Sequence, residues 1–68
     1  MNIVLYSTHC PKCEVLEKKL QQNGLKYQAV YEFDKKEMIK KGFAGAPILE
    51  VEGKYMDFSE ANKWLQSL

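Results

Sequence analysis

The fold is decided early in the chain, where residues 3–13 read Ile-Val-Leu-Tyr-Ser-Thr-His-Cys-Pro-Lys-Cys. Ile3 to Tyr6 form a continuous apolar run of the kind that a buried strand shows, and polar residues end the run at Ser7. Pro11 suits the first position of a helix, because its missing N–H would have no partner there. The stretch therefore predicts a strand followed by a helix, with two cysteines at the junction.

The first helix and the second strand are predicted from periodicity. Apolar positions at helical spacing predict a helix that ends at Asn23-Gly24, and they are Cys13, Leu16 and Leu20. From Leu25 to Tyr31 apolar and polar side chains alternate, which predicts a half-buried strand. The side chains expected on the buried face of that strand are Leu25, Tyr27, Ala29 and Tyr31.

Two capping patterns predict the remaining helices. In each pattern an aspartate that can accept a hydrogen bond from a helix N–H stands three positions before a glutamate, where an apolar pattern begins. The two pairs are Asp34 with Glu37 and Asp57 with Glu60. The apolar positions are Met38, Ile39 and Phe43 in the short second helix, and Phe58, Ala61, Leu65 and Leu68 in the terminal one. Between the two helices, the strands Ile48 to Val51 and Lys54 to Met56 flank Glu52-Gly53 as a hairpin does. The predicted fold is α/β, in the order β-α-β-α-β-β-α, with a four-stranded mixed sheet flanked by three helices.

Length and composition restrict the function. A chain of 68 residues forms one domain, residues 1–68, whose chemistry takes place at its surface. The net charge is +1 and arginine is absent, which argues against nucleic acid as a partner. The start of the chain lacks a basic region with a cleavage site, and no apolar stretch is long enough to span a membrane. With two cysteines and no export signal, we expect a cytoplasmic protein whose cysteines are catalytic or metal-binding.

The candidate catalytic residues are Cys10 and Cys13. A thiolate at Cys10 would be stabilised by the free N–H groups and the positive dipole end of the helix, so Cys10 is the expected nucleophile. Cys13 lies one turn further along on the same side of the helix, where it can attack a mixed disulfide on Cys10. Pro11 keeps the turn between the two sulfurs rigid, and Lys12 adds a positive charge beside them.

A second feature is Ala46-Pro47, at the start of the third predicted strand. Proline cannot donate a hydrogen bond to a neighbouring strand, so it belongs at a strand's first residue or at an edge. A cis peptide bond is compatible with this position, but base rates alone do not predict one.

These features together resemble the glutaredoxin family, and the resemblance covers essentially the whole chain. It rests on the Cys10-Pro11-Lys12-Cys13 motif that opens a helix, on Gly45-Ala46-Pro47 ahead of a strand, and on the hairpin and final amphipathic helix. It implies a minimal thioredoxin fold with a cis Pro47 beside Cys10. It further implies a monomeric thiol–disulfide oxidoreductase that reduces protein or low-molecular-weight disulfides, with no bound cofactor and no metal.

The resemblance also implies substrate-binding positions, and these are Pro11, Lys12, Ala46, Pro47 and Asp57. Ala46 would offer its backbone to an extended substrate or to glutathione, and Asp57 stands where the family binds a glutathione carboxylate. The chain departs from the family by having Lys12 where a tyrosine is common, Ser7 where a basic residue is common, and Tyr55-Met56 in place of a Gly-rich stretch. Glutathione and a thioredoxin-reductase-type enzyme therefore both stay open as the reductant, and an electron donor to a reductase such as ribonucleotide reductase fits equally well.

The main alternative is a small copper chaperone-like domain. Such domains also carry a CxxC motif after their first strand, and two thiolates hold a soft ion such as Cu(I). Their element order is βαββαβ and ends in a strand, whereas this chain is predicted to end in a helix.

Two other features have a simple interpretation and a functional one. His9 is expected to be a solvated neighbour of Cys10, with proton transfer or metal binding as the alternative. A group of lysines is expected to form the solvated face of the second helix, with docking of an acidic partner as the alternative. That group consists of Lys35, Lys36, Lys40 and Lys41.

Overall fold

The computed structural model describes residues 2–43 and 45–68. Within these ranges, four strands and three helices follow one another in the order β-α-β-α-β-β-α. The strands are β1 (Ile3–Tyr6), β2 (Gln28–Val30), β3 (Ile48–Val51) and β4 (Lys54–Met56), and the helices are α1 (Pro11–Gln22), α2 (Lys35–Lys40) and α3 (Phe58–Gln66).

The four strands form one mixed sheet in the order β2-β1-β3-β4. Strand β1 pairs in parallel with β2 and antiparallel with β3, and β3 pairs antiparallel with β4. The prediction of an α/β domain with a four-stranded mixed sheet and three helices is confirmed. Because β1 is a central strand, the loop that follows it begins at the middle of the sheet, where α1 and its cysteines start.

One face of the sheet carries the hydrophobic core. Ile3 and Leu5 alternate with half-buried residues along β1, so they point to the same face. Helices α1 and α3 pack against each other over this face. The buried residues they contribute to the core are Leu16, Leu20, Ala61 and Leu65, and β3 and β4 add Leu49, Val51 and Met56.

Aromatic side chains cover part of the opposite face. The rings of Tyr6 and Tyr55 stack with their centroids 6.2 Å apart, and Phe33 meets Tyr6 edge-on at 5.4 Å. Phe43 contacts Tyr55, so the residues before and after α2 both lie on this face. The hydroxyl of Tyr6 donates to Glu50 Oε1 at 3.0 Å. The pKa of Tyr6 is raised well above its ordinary value. Burial is the larger cause, and the hydrogen bond to Glu50 is the next.

The second predicted strand was too long. Strand β2 covers only Gln28–Val30, because β1 offers it partners only from Val4 to Tyr6. Leu25 and Tyr27 still pack against the core ahead of the strand. Tyr31 is 44% exposed and does not belong to the buried face that the alternation predicted.

Two apolar positions predicted for helices are on the surface. Ile39 in α2 is 62% exposed, because this helix is only six residues long and buries Met38 instead. Leu68 is 58% exposed, since α3 ends at Gln66 and Ser67 caps it. Both predicted N-caps are confirmed: Asp34 Oδ1 accepts from Lys36 N at 2.9 Å, and Asp57 Oδ1 accepts from Glu60 N at 2.8 Å.

We expect Asp57→Ala to lower the free energy of unfolding by about 1 kcal/mol, because it removes the acceptor at the start of α3. Urea denaturation of the wild type and the variant measures this difference. Asp57→Asn is the matched control, since it keeps an acceptor oxygen and should stay close to the wild type. Equal stability of Asp57→Ala and the wild type would contradict the capping role.

Candidate active site

The two cysteines occupy the first turn of α1. Cys10 is the N-cap residue with an extended backbone, and its Sγ accepts a hydrogen bond from the Cys13 backbone N–H at 3.2 Å. Pro11 follows at the first helical position, as predicted from its missing N–H. The helix therefore directs an otherwise free N–H group at the Cys10 sulfur, where it stabilises negative charge.

The two sulfurs differ in their exposure. Cys10 is half-buried, whereas Cys13 has 0% of its surface exposed. An external disulfide can therefore reach Cys10 but not Cys13. Both cysteines are free thiols in this structure.

The protein surroundings of Cys13 act on its ionisation in two directions. Burial raises the pKa of the Cys13 thiol, while hydrogen bonds from the Cys10 side chain, the Thr8 backbone and the Ser7 side chain lower it, and the net direction is downward. Since Cys10 is the accessible sulfur, it is the one that can meet a substrate.

The segment between β1 and the cysteines has an unusual backbone. His9 adopts a left-handed conformation with φ of 60°, and its N–H donates to Ser7 Oγ at 3.1 Å. The imidazole of His9 stacks on the ring of Tyr31, with centroids 4.3 Å apart and the planes at 10°. The Tyr31 hydroxyl donates to Glu17, which raises the pKa of Tyr31. His9 is exposed, and its ring is held against Tyr31 at the surface.

A groove of about 740 Å³ reaches the first turn of α1 at Lys12, which lies between the two cysteines in sequence, and neither cysteine is part of its lining. Three segments line it: Lys12 from α1, the loop that leads into β3, and the first turn of α3 from Asp57 to Glu60. The loop contributes residues 42–43 and 45–47, including Pro47, whose peptide bond with Ala46 is cis. The structure thus brings four of the predicted substrate-binding residues around one cavity, namely Lys12, Ala46, Pro47 and Asp57.

The lining of this groove carries charges of both signs. Lys12 places its Nζ 5.5 Å from the centroid of the Phe58 ring. Asp57 and Glu60, from the same first turn of α3 as Phe58, also line the groove. The Asp57 carboxylate is already engaged by the Glu60 N–H that it caps. Pro11, the remaining predicted binding residue, is exposed and does not line the groove as described.

Sequence reasoning placed neither Phe58 at the groove nor Ser7 in the buried interior. Phe58 was predicted to face the core, and it does pack there in part, but it also lines the groove. Ser7 is the buried polar residue of the described chain, with 1% of its surface exposed. The alternation of Ile3, Leu5 and Ser7 was the signal that could have shown it, because it places Ser7 on the buried side of the sheet.

The four lysines near α2 are exposed, as both interpretations of them require. The Nζ atom of Lys41 lies 4.9 Å from the centroid of the Tyr55 ring. Among residues 2–43 and 45–68, no three His, Cys, Asp or Glu side chains converge as metal ligands would. In the same part of the chain, no helix has the length and apolar character needed to cross a membrane.

Comparisons of this chain with protein-family models, with curated proteins and with solved structures gave no match.

Proposed function

We propose that this protein is a thiol–disulfide oxidoreductase of the glutaredoxin type, with Cys10 as nucleophile and Cys13 as resolving thiol. The observation that carries the proposal is the difference between the two sulfurs. Cys10 is accessible and accepts an N–H at the start of a helix, while Cys13 is buried one turn below it. This arrangement suits a reaction in which one sulfur meets the substrate and the other acts only afterwards.

The chemistry follows in two exchanges. The Cys10 thiolate attacks one sulfur of the substrate disulfide, forming a mixed disulfide while the other substrate sulfur leaves as a thiolate. The Cys13 thiolate then attacks the Cys10 sulfur, which closes the Cys10–Cys13 disulfide and releases the second substrate sulfur. Two electrons pass from the cysteine pair to the substrate, and an external reductant must restore the dithiol.

The fold is compatible with this proposal. A small mixed sheet with helices agrees with the minimal thioredoxin fold that the glutaredoxin resemblance implies. Ala46 and Pro47 line the same groove as Lys12, so an extended substrate in this groove would meet Ala46. Glutathione and a thioredoxin-reductase-type enzyme are both candidates for the reductant. The rates at which each reduces the oxidised protein distinguish them.

Alkylation of the reduced protein near neutral pH tests the assignment of the nucleophile. We expect brief treatment with iodoacetamide to label Cys10 first, because Cys13 has no exposed surface. Peptide mapping by mass spectrometry identifies the labelled residue. The matched control is the protein oxidised beforehand, in which an intramolecular disulfide should protect both cysteines. Preferential labelling of Cys13, or labelling of both cysteines after oxidation, would show that the proposed dithiol mechanism is wrong.

A further inference from the structure

Tyr31 lies beside the segment that leads into the cysteines, although the two are far apart in the chain. The Ser7 N–H donates to Val30 O at 3.0 Å, where the paired strands β1 and β2 end. Tyr31 directly follows Val30, so this hydrogen bond places it next to the loop after β1. Its ring meets the imidazole of His9 face to face, with the centroids 4.3 Å apart and the planes at 10°. The residue immediately before Cys10 is therefore in contact with the end of β2.

Tyr31 is also attached to α1. Its hydroxyl donates to Glu17 Oε1 at 3.1 Å, and Glu17 lies in the helix that Cys10 caps. The position of the Tyr31 ring is therefore set by its place directly after β2 and by the hydrogen bond to α1. Because both of these anchors lie outside the loop that contains His9, the stacking can restrain that loop.

The backbone of His9 gives this restraint its importance. His9 has a φ of 60°, in the left-handed region that costs free energy for any residue with a Cβ. One contact that favours this conformation is the His9 N–H, which donates to Ser7 Oγ at 3.1 Å. Stacking of two aromatic rings contributes a free energy of the same order as the cost of the left-handed conformation. The contact with Tyr31 can therefore decide how fully His9 occupies it.

We propose that Tyr31 is a positioning residue for Cys10: it stacks on His9 and holds the left-handed backbone immediately before the nucleophile. Cys10 Sγ accepts from the Cys13 N–H at 3.2 Å, and a change of the His9 dihedral angles would redirect this sulfur. Less of the reactive thiolate would then form, because the helix N-terminus would no longer stabilise it. The description of Cys10 as a nucleophile rests on the proposed function, whereas the positioning of its sulfur does not.

The rate at which iodoacetamide alkylates Cys10 in the reduced protein measures the positioning without any catalytic step. Tyr31→Leu removes the ring and should lower this rate about fivefold, which corresponds to the loss of one aromatic pair. Tyr31→Phe is the matched control, because it keeps the ring and loses only the exposed hydrogen bond to Glu17. Its rate should stay within about twofold of the wild type. Circular dichroism identifies folded variants, and Tyr31→Met replaces Tyr31→Leu if the latter does not fold.

A pair of variants at His9 tests whether the effect depends on its backbone. His9→Ala and His9→Gly both lack the imidazole, so they differ in the left-handed conformation, which glycine adopts freely and alanine does not. Cys10 in His9→Ala should be alkylated about fivefold more slowly than in His9→Gly. In the His9→Gly background, Tyr31→Leu should change the rate by less than about twofold, because no imidazole remains to stack on the ring.

NMR spectroscopy detects the stacking directly. His9 is the only histidine of the chain, so the signals of its ring protons can be assigned without ambiguity. An aromatic ring that lies face to face with the imidazole shields these protons. Their signals should therefore lie upfield in the wild type and in Tyr31→Phe, and they should move downfield in Tyr31→Leu.

The outcomes separate this inference from the proposed function. His9 signals that are the same in Tyr31→Leu as in the wild type overturn the stacking. Unchanged alkylation of Cys10 in Tyr31→Leu, or an equal fall in Tyr31→Phe, overturns the positioning role of the ring. Equal rates in His9→Ala and His9→Gly, or a full effect of Tyr31→Leu in the His9→Gly background, overturn the role of the His9 backbone. If the wild type forms no mixed disulfide while the alkylation rates follow the expected order, Tyr31 positions Cys10 and the oxidoreductase proposal is wrong.

Discussion

Cys13→Ser should stop the proposed reaction halfway and accumulate a mixed disulfide on Cys10. The variant keeps the accessible sulfur and the helix N-terminus, so the first exchange still takes place. It lacks the buried thiol that closes the intramolecular disulfide, so the substrate stays attached. Incubation with a disulfide-containing peptide, followed by mass spectrometry without reductant, should show nearly complete conversion to the covalent adduct.

The wild type and Cys10→Ser are the controls for the accumulation of this mixed disulfide. Wild type under the same conditions should show little adduct, because Cys13 releases it. Cys10→Ser should show none, because the remaining sulfur has no exposed surface. Full turnover of protein disulfides by Cys13→Ser in the absence of glutathione would mean that the second cysteine is unnecessary and that the dithiol mechanism is incorrect.

The parts of the fold that sequence predicted best are those fixed by local signals. Helix α1 begins at Pro11 and is capped at Asn23, because the proline and the Asn23-Gly24 pair act within a few residues of the chain. Gly24 has a φ of 68°, the left-handed conformation expected after a helix end. The hairpin turns at Glu52-Gly53, where both residues have positive φ as a two-residue turn requires.

The parts that sequence predicted poorly depend on partners far along the chain. The alternation from Leu25 to Tyr31 is real, but a strand extends only as far as its neighbour pairs with it. The ring of Tyr31 stacks instead on the imidazole of His9, and no local sequence pattern connects these two residues. Similarly, Leu68 continues the helical spacing of the apolar residues in α3 but lies past the end of that helix.

The candidate site also has a part that local sequence signals predict and a part that depends on distant segments of the chain. Cys10 and Cys13 could be found from spacing alone, since one helical turn joins them. The groove could not, because Lys12, Pro47 and Phe58 come from three separate segments that meet only in the folded chain. The resemblance to glutaredoxins supplied the cis Pro47, which base rates would not have predicted.

Leu20→Ala should cause a large loss of stability, although Leu20 lies seven positions after Cys13 in the chain. Leu20 is fully buried between α1 and the sheet, so truncation leaves a cavity in the core. We expect the free energy of unfolding to fall by about 2–5 kcal/mol. A domain of this length has only about 3–10 kcal/mol in total, which follows from typical values per residue. The midpoint of thermal unfolding should therefore fall by about 10–30 °C, measured by circular dichroism.

Val15→Ala is the matched control on the same helix. Val15 is exposed, and alanine favours a helix more than valine does, so its stability should stay within about 0.5 kcal/mol of the wild type. The pair of variants tests whether burial of this face holds α1 in place. Because the cysteines start that helix, a Leu20→Ala protein that is still folded at low temperature should label at Cys13 faster than Val15→Ala does, as α1 loosens from the core. Equal unfolding midpoints for the two variants would mean that this face of α1 is not packed as described.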